Sequence, residues 1–210
     1  MSSEYKTEQE EFWAGTFGDS YINRNISEGY LASNIHLFSN IFKSCNKHTS
    51  LIEFGANVGM NLKAIKTLLP TCSLHGVEIN ERACEDLKNV IGAQNVYHES
   101  IFDFNPTDQF DIVLIKGVLI HINPEKLDLV YDKLYNSSKK YMLICEYYNP
   151  SPVSIEYRGH SDRLFKRDFA GEIMDRFTDV QLVDYGFAYH RDISFPQDDC
   201  TWFLLEKNIG

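Results

Sequence analysis

Apolar residues in this chain fall into short continuous runs, and the segments between them carry helical spacing. SLIEF (50–54), SLHGVEI (73–79), FDIVLIK (110–116) and KYMLICEYY (140–148) are such runs, with NVYHES (95–100) a shorter one. Runs that are continuous rather than alternating predict strands covered on both faces. Between 27 and 42, Leu31, Ile35, Phe38 and Phe42 recur at helical spacing behind Ser27, a suitable N-cap. Further helices are predicted over 57–69, stopping at Pro70, over 81–90, and from Pro124 to about residue 135, where proline suits a first turn.

Strand and helix therefore alternate strictly, which predicts a doubly wound, Rossmann-like α/β domain with a mostly parallel sheet. The C-terminal third reads differently. Residues 149–169 form a long polar connection, a helix follows to about 177, and two strands, 180–190 and 200–207, are joined closely enough for an antiparallel hairpin at the sheet edge. No linker divides the 210 residues, so a single domain spanning 1–210 is expected.

Charge narrows the partners. The formal net charge of -10 repels nucleic acid and anionic membranes at long range. No apolar run reaches the length of a bilayer-spanning helix, and the polar N-terminus MSSEYKTEQEEFW lacks the apolar region of a secretory signal. The five cysteines, Cys45, Cys72, Cys84, Cys145 and Cys200, form no C-x-x-C pair, and their odd number fits a reduced, cytoplasmic protein. No His/Cys/Asp cluster has metal-ligand spacing, so no metal is expected.

The chemistry is concentrated where strands end. LIEFGANVGMN (51–61) closes the first strand with Glu53 and then turns through Gly55 and Gly59. Glycines let a backbone turn sharply and approach a ligand closely. The third glycine of a dinucleotide fingerprint and the G-K-[ST] of a phosphate loop are both missing. An acid before the turn repels a pyrophosphate and attracts an ammonium. Glu78 ends the second strand, where a carboxylate accepts both hydroxyls of a ribose. Two acids at successive strand ends point to a positively charged nucleoside, and S-adenosylmethionine, with its ammonium and sulfonium, is one.

E-x-G-x-x-x-G followed by an acid closing the next strand resembles the class I S-adenosylmethionine-dependent methyltransferases, over roughly residues 30–207. The resemblance implies a seven-stranded sheet ending in an antiparallel hairpin. It further implies that Glu53, Gly55, Asn57 and Gly59 border the methionine half of the cofactor, that Glu78 binds the ribose, and that Ile79 flanks the adenine. Ser100, Ile101 and Phe102 border the adenine from the third strand; the polar contact there falls to Ser100 or Asp103. Lys116, Gly117 and Val118 close the floor. The stretches EFWAGTFGDSYINRN, EYYNPSPVSIEYRGHSDRLFKRDFAGEIMDR and FPQDDCTWFLLEK are also similar to the methylases found with pseudaminic acid biosynthesis, small proteins assigned to bacterial surface amino-sugar pathways, which implies an amino-sugar acceptor.

Other residues stay open between structural and functional roles. Residues 1–45 read as a helical lid or cap: Trp13 and Tyr21 either pack on the sheet or cover the cofactor, and Arg24 matches a carboxylate. The basic residues Arg158, His160, Arg163, Lys166 and Arg167 lie in 147–170, read as a substrate loop, and with Tyr148 suit a small anionic acceptor. His121, Glu146, Tyr148 and His160 are the candidate catalytic groups, with Tyr147, Asn149 and His190 as further possibilities, although methyl transfer often requires alignment more than a base. A phosphate or phosphoramidate acceptor, a non-catalytic cofactor-binding role, and a monomer or homodimer are all compatible with these residues. A dinucleotide-dependent oxidoreductase fits them poorly.

Overall fold

The apolar runs become the middle of a seven-stranded sheet ordered β3–β2–β1–β4–β5–β9–β8. The computed structural model describes residues 5–22, 26–46, 49–157 and 160–208. β1 (Ser50–Phe54) pairs in parallel with β2 (Ser73–Glu78) and β4 (Phe110–Lys116). β3 (Val96–His98) lies parallel to β2, and β5 (Ser138–Glu146) parallel to β4. β9 (Cys200–Lys207) then runs antiparallel to β5, with β8 (Val180–Ala188) antiparallel outside it. This is the doubly wound sheet with an antiparallel C-terminal hairpin that the sequence predicts.

Both faces are covered, which is why the strand sequences do not alternate in polarity. On one face Ile52, Phe54, Val113, Ile115 and Met142 pack with α6 (Leu127–Ser137) and α7 (Phe169–Arg176). On the other, Leu51, Ile112, Leu114 and Leu143 pack with α3 (Glu28–Ile41), α4 (Met60–Leu68) and α5 (Glu81–Ile91). Burial of each such side chain contributes roughly 1.5–3 kcal/mol. Helix α3 begins behind Ser27, whose side chain accepts from the Tyr30 N–H, so the predicted cap is realised. The helix predicted from residue 57 starts only at Met60, because residues 55–59 are used by the loop before it.

The sheet changes winding direction between β1 and β4, whose following helices α4 and α6 lie on opposite faces. The connections leaving the two strands part there and leave a crevice beyond the carboxyl ends of the strands.

Residues 149–169 depart from the prediction. In place of a polar connection they contain an antiparallel hairpin, β6 (Val153–Tyr157) and β7 (His160–Lys166), paired from Val153↔Lys166 to Tyr157↔His160. The period-two pattern of VSIEY is that of an exposed strand, and its polar members obscured it. Leu164 and Phe165 are buried, which anchors the hairpin to the domain, and β7 packs on the turn Leu119–His121. Among the described residues no helix is long and apolar enough to cross a membrane, and no group of three His, Cys, Asp or Glu could hold a metal ion. All five cysteines are free thiols.

Candidate active site

The loop after β1 is shaped by three residues in the left-handed region: Gly55 (φ 73°), Asn57 (φ 48°) and Gly59 (φ 79°). Its backbone turns across the end of β2. The N–H groups of Gly55 and Ala56 donate to the Val77 carbonyl at 2.8 and 3.0 Å, and the Asn57 N–H donates to Glu78 Oε2 at 2.7 Å. Glu78 Oε1 accepts from the Asn80 N–H at 2.8 Å. The carboxylate is thus fixed at both oxygens by backbone, in a plane facing the crevice. Burial raises its pKa while the N–H donors from Asn80 and Asn57 oppose the rise. Glycine at position 55 is required twice over: its φ is positive, and a Cβ there would lie 2.5 Å from Val118 Cγ2. Gly59 caps α4, and its open side is filled by Leu87 Cδ1, 2.7 Å from where a Cβ would sit.

A cavity occupies the crevice. From the predicted cofactor set, Gly55, Asn57, Glu78 and Ile79 line it below, with Ser100, Ile101 and Phe102 along the β3 side. Lys116, Gly117 and Val118 form its floor, and Trp13 and Tyr21 its roof. Gly117 (φ 67°) has nothing within 4 Å of an ideal Cβ, so the space beside it is open for a ligand. Arg24 lies outside the described residues.

Two predicted cofactor residues are not on the cavity wall. Gly59 is turned into the α4–α5 packing, as above. Glu53 is fully buried on the side of β1 that faces α4. Its Oε1 accepts from Asn61 Nδ2 at 2.6 Å, and Asn61 does line the cavity. Glu53 Oε2 and Asn61 Oδ1 have no hydrogen-bond partner among the described residues. Buried polar atoms without partners are costly, and this pair sets two of them together beside the cavity. Burial pushes the Glu53 carboxyl up to about 8, against the Asn61 hydrogen bond and the charge of Lys116, which pull it down. Lys116 Nζ donates to the Tyr30 hydroxyl at 3.1 Å, and Lys116 is the lining's one lysine or arginine among the described residues. Asn61 escaped the sequence reading because it is the second residue of α4, past the glycine motif; Tyr30 escaped because α3 is far away in sequence.

The roof comes from α1 (Glu8–Ala14) and α2 (Thr16–Tyr21). Thr7 and Glu10 form a capping box that starts α1, and Glu10 also accepts from Ser100 Oγ. Lys6 pairs with Asp103, so both alternatives for the third-strand contact take part in docking this segment. Asn80 Nδ2 donates to Asp19 Oδ1 at 3.0 Å and to the Trp13 carbonyl at 3.3 Å. Trp13 meets Tyr21 edge-on at 5.2 Å and His121 at 4.7 Å, and His121 meets Tyr157 of β6 at 5.1 Å between centroids. Of the segment predicted as a lid, α1 and α2 cover the cavity, whereas α3 belongs to the sheet's own packing. Gly18 fits under this roof with no room to spare: a Cβ would come 1.9 Å from the Trp13 carbonyl oxygen and 2.9 Å from Asn80 Nδ2. Gly18→Ala is expected to detach α1 and α2 with little effect on the sheet. Limited proteolysis should cut the variant before residue 26 while thermal unfolding shifts by only a few degrees, consistent with the loss of a small contact set.

At the other end of the cavity β5 and the approach to β9 supply Cys145, Glu146, Tyr147, Asp198 and Cys200, and His121 and Tyr157 close it from above. Glu146 Oε1 accepts from the N–H groups of Val118 and Leu119, both at 2.9 Å. Its other oxygen is sealed from solvent with no partner among the described residues, and burial pushes the carboxyl up to about 7. Glu146 therefore holds the floor in place through one oxygen, from a position on the cavity wall.

The remaining candidates are placed elsewhere. Tyr148 points to the opposite side of β5, 41% exposed beside Phe203, and Arg167 pairs with Glu172 at 2.7 Å on that same side. Lys166 stands over the Tyr147 ring at 5.2 Å and does not line the cavity. His190 is exposed and bound to Asp199 at 2.7 Å. Arg158 lies outside the described residues, and for His160 and Arg163 only the backbone, in β7, is described. Adjacent residues of a strand face opposite ways, so the basic residues of this segment could not all share one site, a division that composition does not reveal.

Comparison with known proteins agrees with the fold. Residues 52–140 match the family model described as a methyltransferase domain. The plantazolicin methyltransferase BpumL, solved with S-adenosylhomocysteine, has 15% identity and a TM-score of 0.63, covering 95% of this chain and 94% of its own. The magnesium protoporphyrin IX methyltransferase ChlM of Synechocystis PCC 6803, solved with S-adenosylmethionine, has 10% identity and a TM-score of 0.64, covering 98% and 100%. DhpI, solved with S-adenosylhomocysteine, has 14% identity and a TM-score of 0.61, covering 96% of each chain. No curated protein matched the sequence. Residues 52–140 thus match a methyltransferase domain, and the chain as a whole has the class I methyltransferase fold.

Proposed function

We propose that the protein transfers a methyl group from S-adenosylmethionine to a small anionic acceptor, an amino sugar or nucleotide-activated sugar of the surface-glycan type. The observation that carries the cofactor reading is the Glu78 carboxylate, held by two backbone N–H groups at the end of β2 inside a cavity lined by Ile79 and Phe102. Its remaining lone pairs suit the two hydroxyls of a ribose, and the two apolar side chains suit a flat base. Asn61 Oδ1 on the cavity wall, backed by the buried Glu53 carboxyl, suits an ammonium, and Lys116 suits a carboxylate. When bound, the cofactor supplies a sulfonium methyl that a nucleophile displaces directly.

The acceptor site is the end of the cavity bounded by Glu146, Tyr147, His121, Tyr157 and Asp198. The protein's part there is to exclude water and align the acceptor under the aromatic roof. His121, which is buried and lines the cavity, is the group placed to take a proton from the acceptor. Support for a negatively charged acceptor lies in the hairpin: Tyr157 lines the cavity, Arg158 follows it directly in sequence, and His160 and Arg163 come within the next few positions.

The test is mass spectrometry of nucleotide-activated amino sugars, their free and phosphorylated precursors, and phosphoramidates, each incubated with protein and S-adenosylmethionine. A methylated amino sugar supports the reading, and a methylated phosphate or phosphoramidate moves it to that acceptor class. Tight S-adenosylhomocysteine binding with no product from any member favours a non-catalytic role. Replacing Arg158 and Arg163 by alanine is expected to raise the acceptor KM at least tenfold and leave cofactor affinity unchanged. An unchanged KM removes the anion site from the hairpin.

A further inference from the structure

Cys145 ends β5 and Cys200 begins β9, two strands paired antiparallel. Their register sets Cys145 opposite Trp202, so Cys200 is the diagonal neighbour, within side-chain reach. The two sulfurs are 3.3 Å apart, with the Cys145 thiol directed at Cys200. Both residues are buried, yet both border the cavity, which is therefore the route by which a small reagent reaches them.

The pair is chemically asymmetric. Cys200 is held below the ordinary thiol pKa, first by the hydrogen bond from Cys145 and then by the charge of Lys116, despite its burial. Cys145, the donor, is displaced upward. By contrast, Cys45 and Cys84 are pushed up to about 12, mainly by burial. A stabilised thiolate with a second thiol in contact is the arrangement of a redox-sensitive pair.

We propose that Cys145 and Cys200 are a reversible oxidation site on the cavity wall, joined to a disulfide by a hydroperoxide that enters through the cavity. The Cys200 thiolate attacks one peroxide oxygen, the O–O bond breaks, and hydroxide leaves, giving a sulfenic acid. The Cys145 sulfur, losing its proton to that hydroxide, attacks the sulfenic sulfur and expels a second hydroxide, which takes up a proton from solvent. In sum, two thiols and one hydrogen peroxide give one disulfide and two waters. The two electrons come from the sulfurs, and a dithiol reverses the step.

The disulfide would act on the site through two contacts. The Cys145 backbone carbonyl accepts from the Gly117 N–H at 3.0 Å, and the next residue, Glu146, holds Val118 and Leu119. Drawing the sulfurs together moves this floor, and it removes the ionisable thiol on which the Lys116 charge acts. The cross-link rests on the contact of the two sulfurs; protection by a ligand rests on the cofactor reading above.

The experiment is to expose the reduced full chain to hydrogen peroxide and map its peptides by mass spectrometry, with and without S-adenosylhomocysteine. Binding of S-adenosylhomocysteine to the reduced chain is measured first by calorimetry. The expected result is loss of two hydrogens in a cross-linked Cys145–Cys200 peptide pair, reversed by dithiothreitol. Cys145→Ser should instead carry Cys200 as the sulfenic acid, trapped by dimedone. Should calorimetry show binding, the ligand is expected to slow oxidation at least tenfold, and equal rates overturn the cavity route. Should it show none, the cofactor reading fails on its own and the cross-link still decides the pair. Sulfinic or sulfonic acid without the cross-link, oxidation first at Cys72, or no reaction at any thiol overturns the proposal.

Discussion

Replacing Glu78 by alanine is expected to weaken S-adenosylhomocysteine binding by about 100-fold or more, with the domain still folded. The size follows from what the carboxylate does. It stands to accept from two ligand hydroxyls, and hydrogen bonds to a charged group are worth about 1.5–3 kcal/mol each. It also fixes the Asn57 N–H and the Asn80 N–H, so its loss frees the glycine loop and the start of α5 at once. Removing a buried acid whose pKa burial has raised relieves a desolvation cost, so the unliganded melting temperature should fall by only a few degrees or stay level. Glu78→Gln keeps one acceptor oxygen but turns an amide N–H2 toward one of the two backbone donors; it should sit between wild type and alanine. Titration calorimetry with circular dichroism on the same samples distinguishes the cases. Wild-type affinity in the alanine variant would remove the nucleoside from the end of β2.

The second large effect is a pH dependence set by Glu53. Its carboxyl holds a proton in the folded protein up to about 8, whereas in the unfolded chain it ionises near 4.5. Between those values the native state binds more protons than the unfolded state, so stability is highest at the acid end and falls as pH rises. The slope for one such group approaches about 1.4 kcal/mol per pH unit. Glu146, pushed up to about 7, adds in the same sense over a narrower window. The Glu53→Gln difference isolates the first group: the variant's melting temperature should decline less steeply across this window and exceed wild type at its alkaline end. Ligand binding should show the reverse. An ammonium at Glu53 and Asn61 favours the carboxylate, so binding near neutral pH is expected to release a proton, seen as a dependence of the calorimetric heat on buffer ionisation. Glu53→Gln should lose that release and bind at least tenfold more weakly. Identical heats in all buffers would remove the ammonium from this site.

Much of this site is written locally. Gly55, Asn57 and Glu78, which line the cavity, and Gly59, which caps α4 beside it, are legible because a strand end, a left-handed turn and a capping position each restrict the residues allowed within a few positions of one another. The same local grammar identifies the alternating elements and the edge hairpin. It fails at 149–169, where an exposed two-stranded hairpin alternates apolar with charged residues and imitates a polar connection. It also groups Lys166 and Arg167 with a site neither lines, because nearness in sequence ignores the two-residue period of a strand.

The sequence by itself determined the strands, the helices between them, the winding of the sheet and the turn that opens its crevice, since these depend on periodicity and on backbone conformations that few residues adopt. Only the tertiary structure decided which polar groups meet. Glu53 is withdrawn behind Asn61, Glu146 is spent on the backbone of the floor, Tyr30 joins Lys116, and Cys145 faces Cys200 across paired strands. Those pairings join residues 8 to 86 positions apart. Strand register and helix packing bring them together, and burial then sets which of them stay charged.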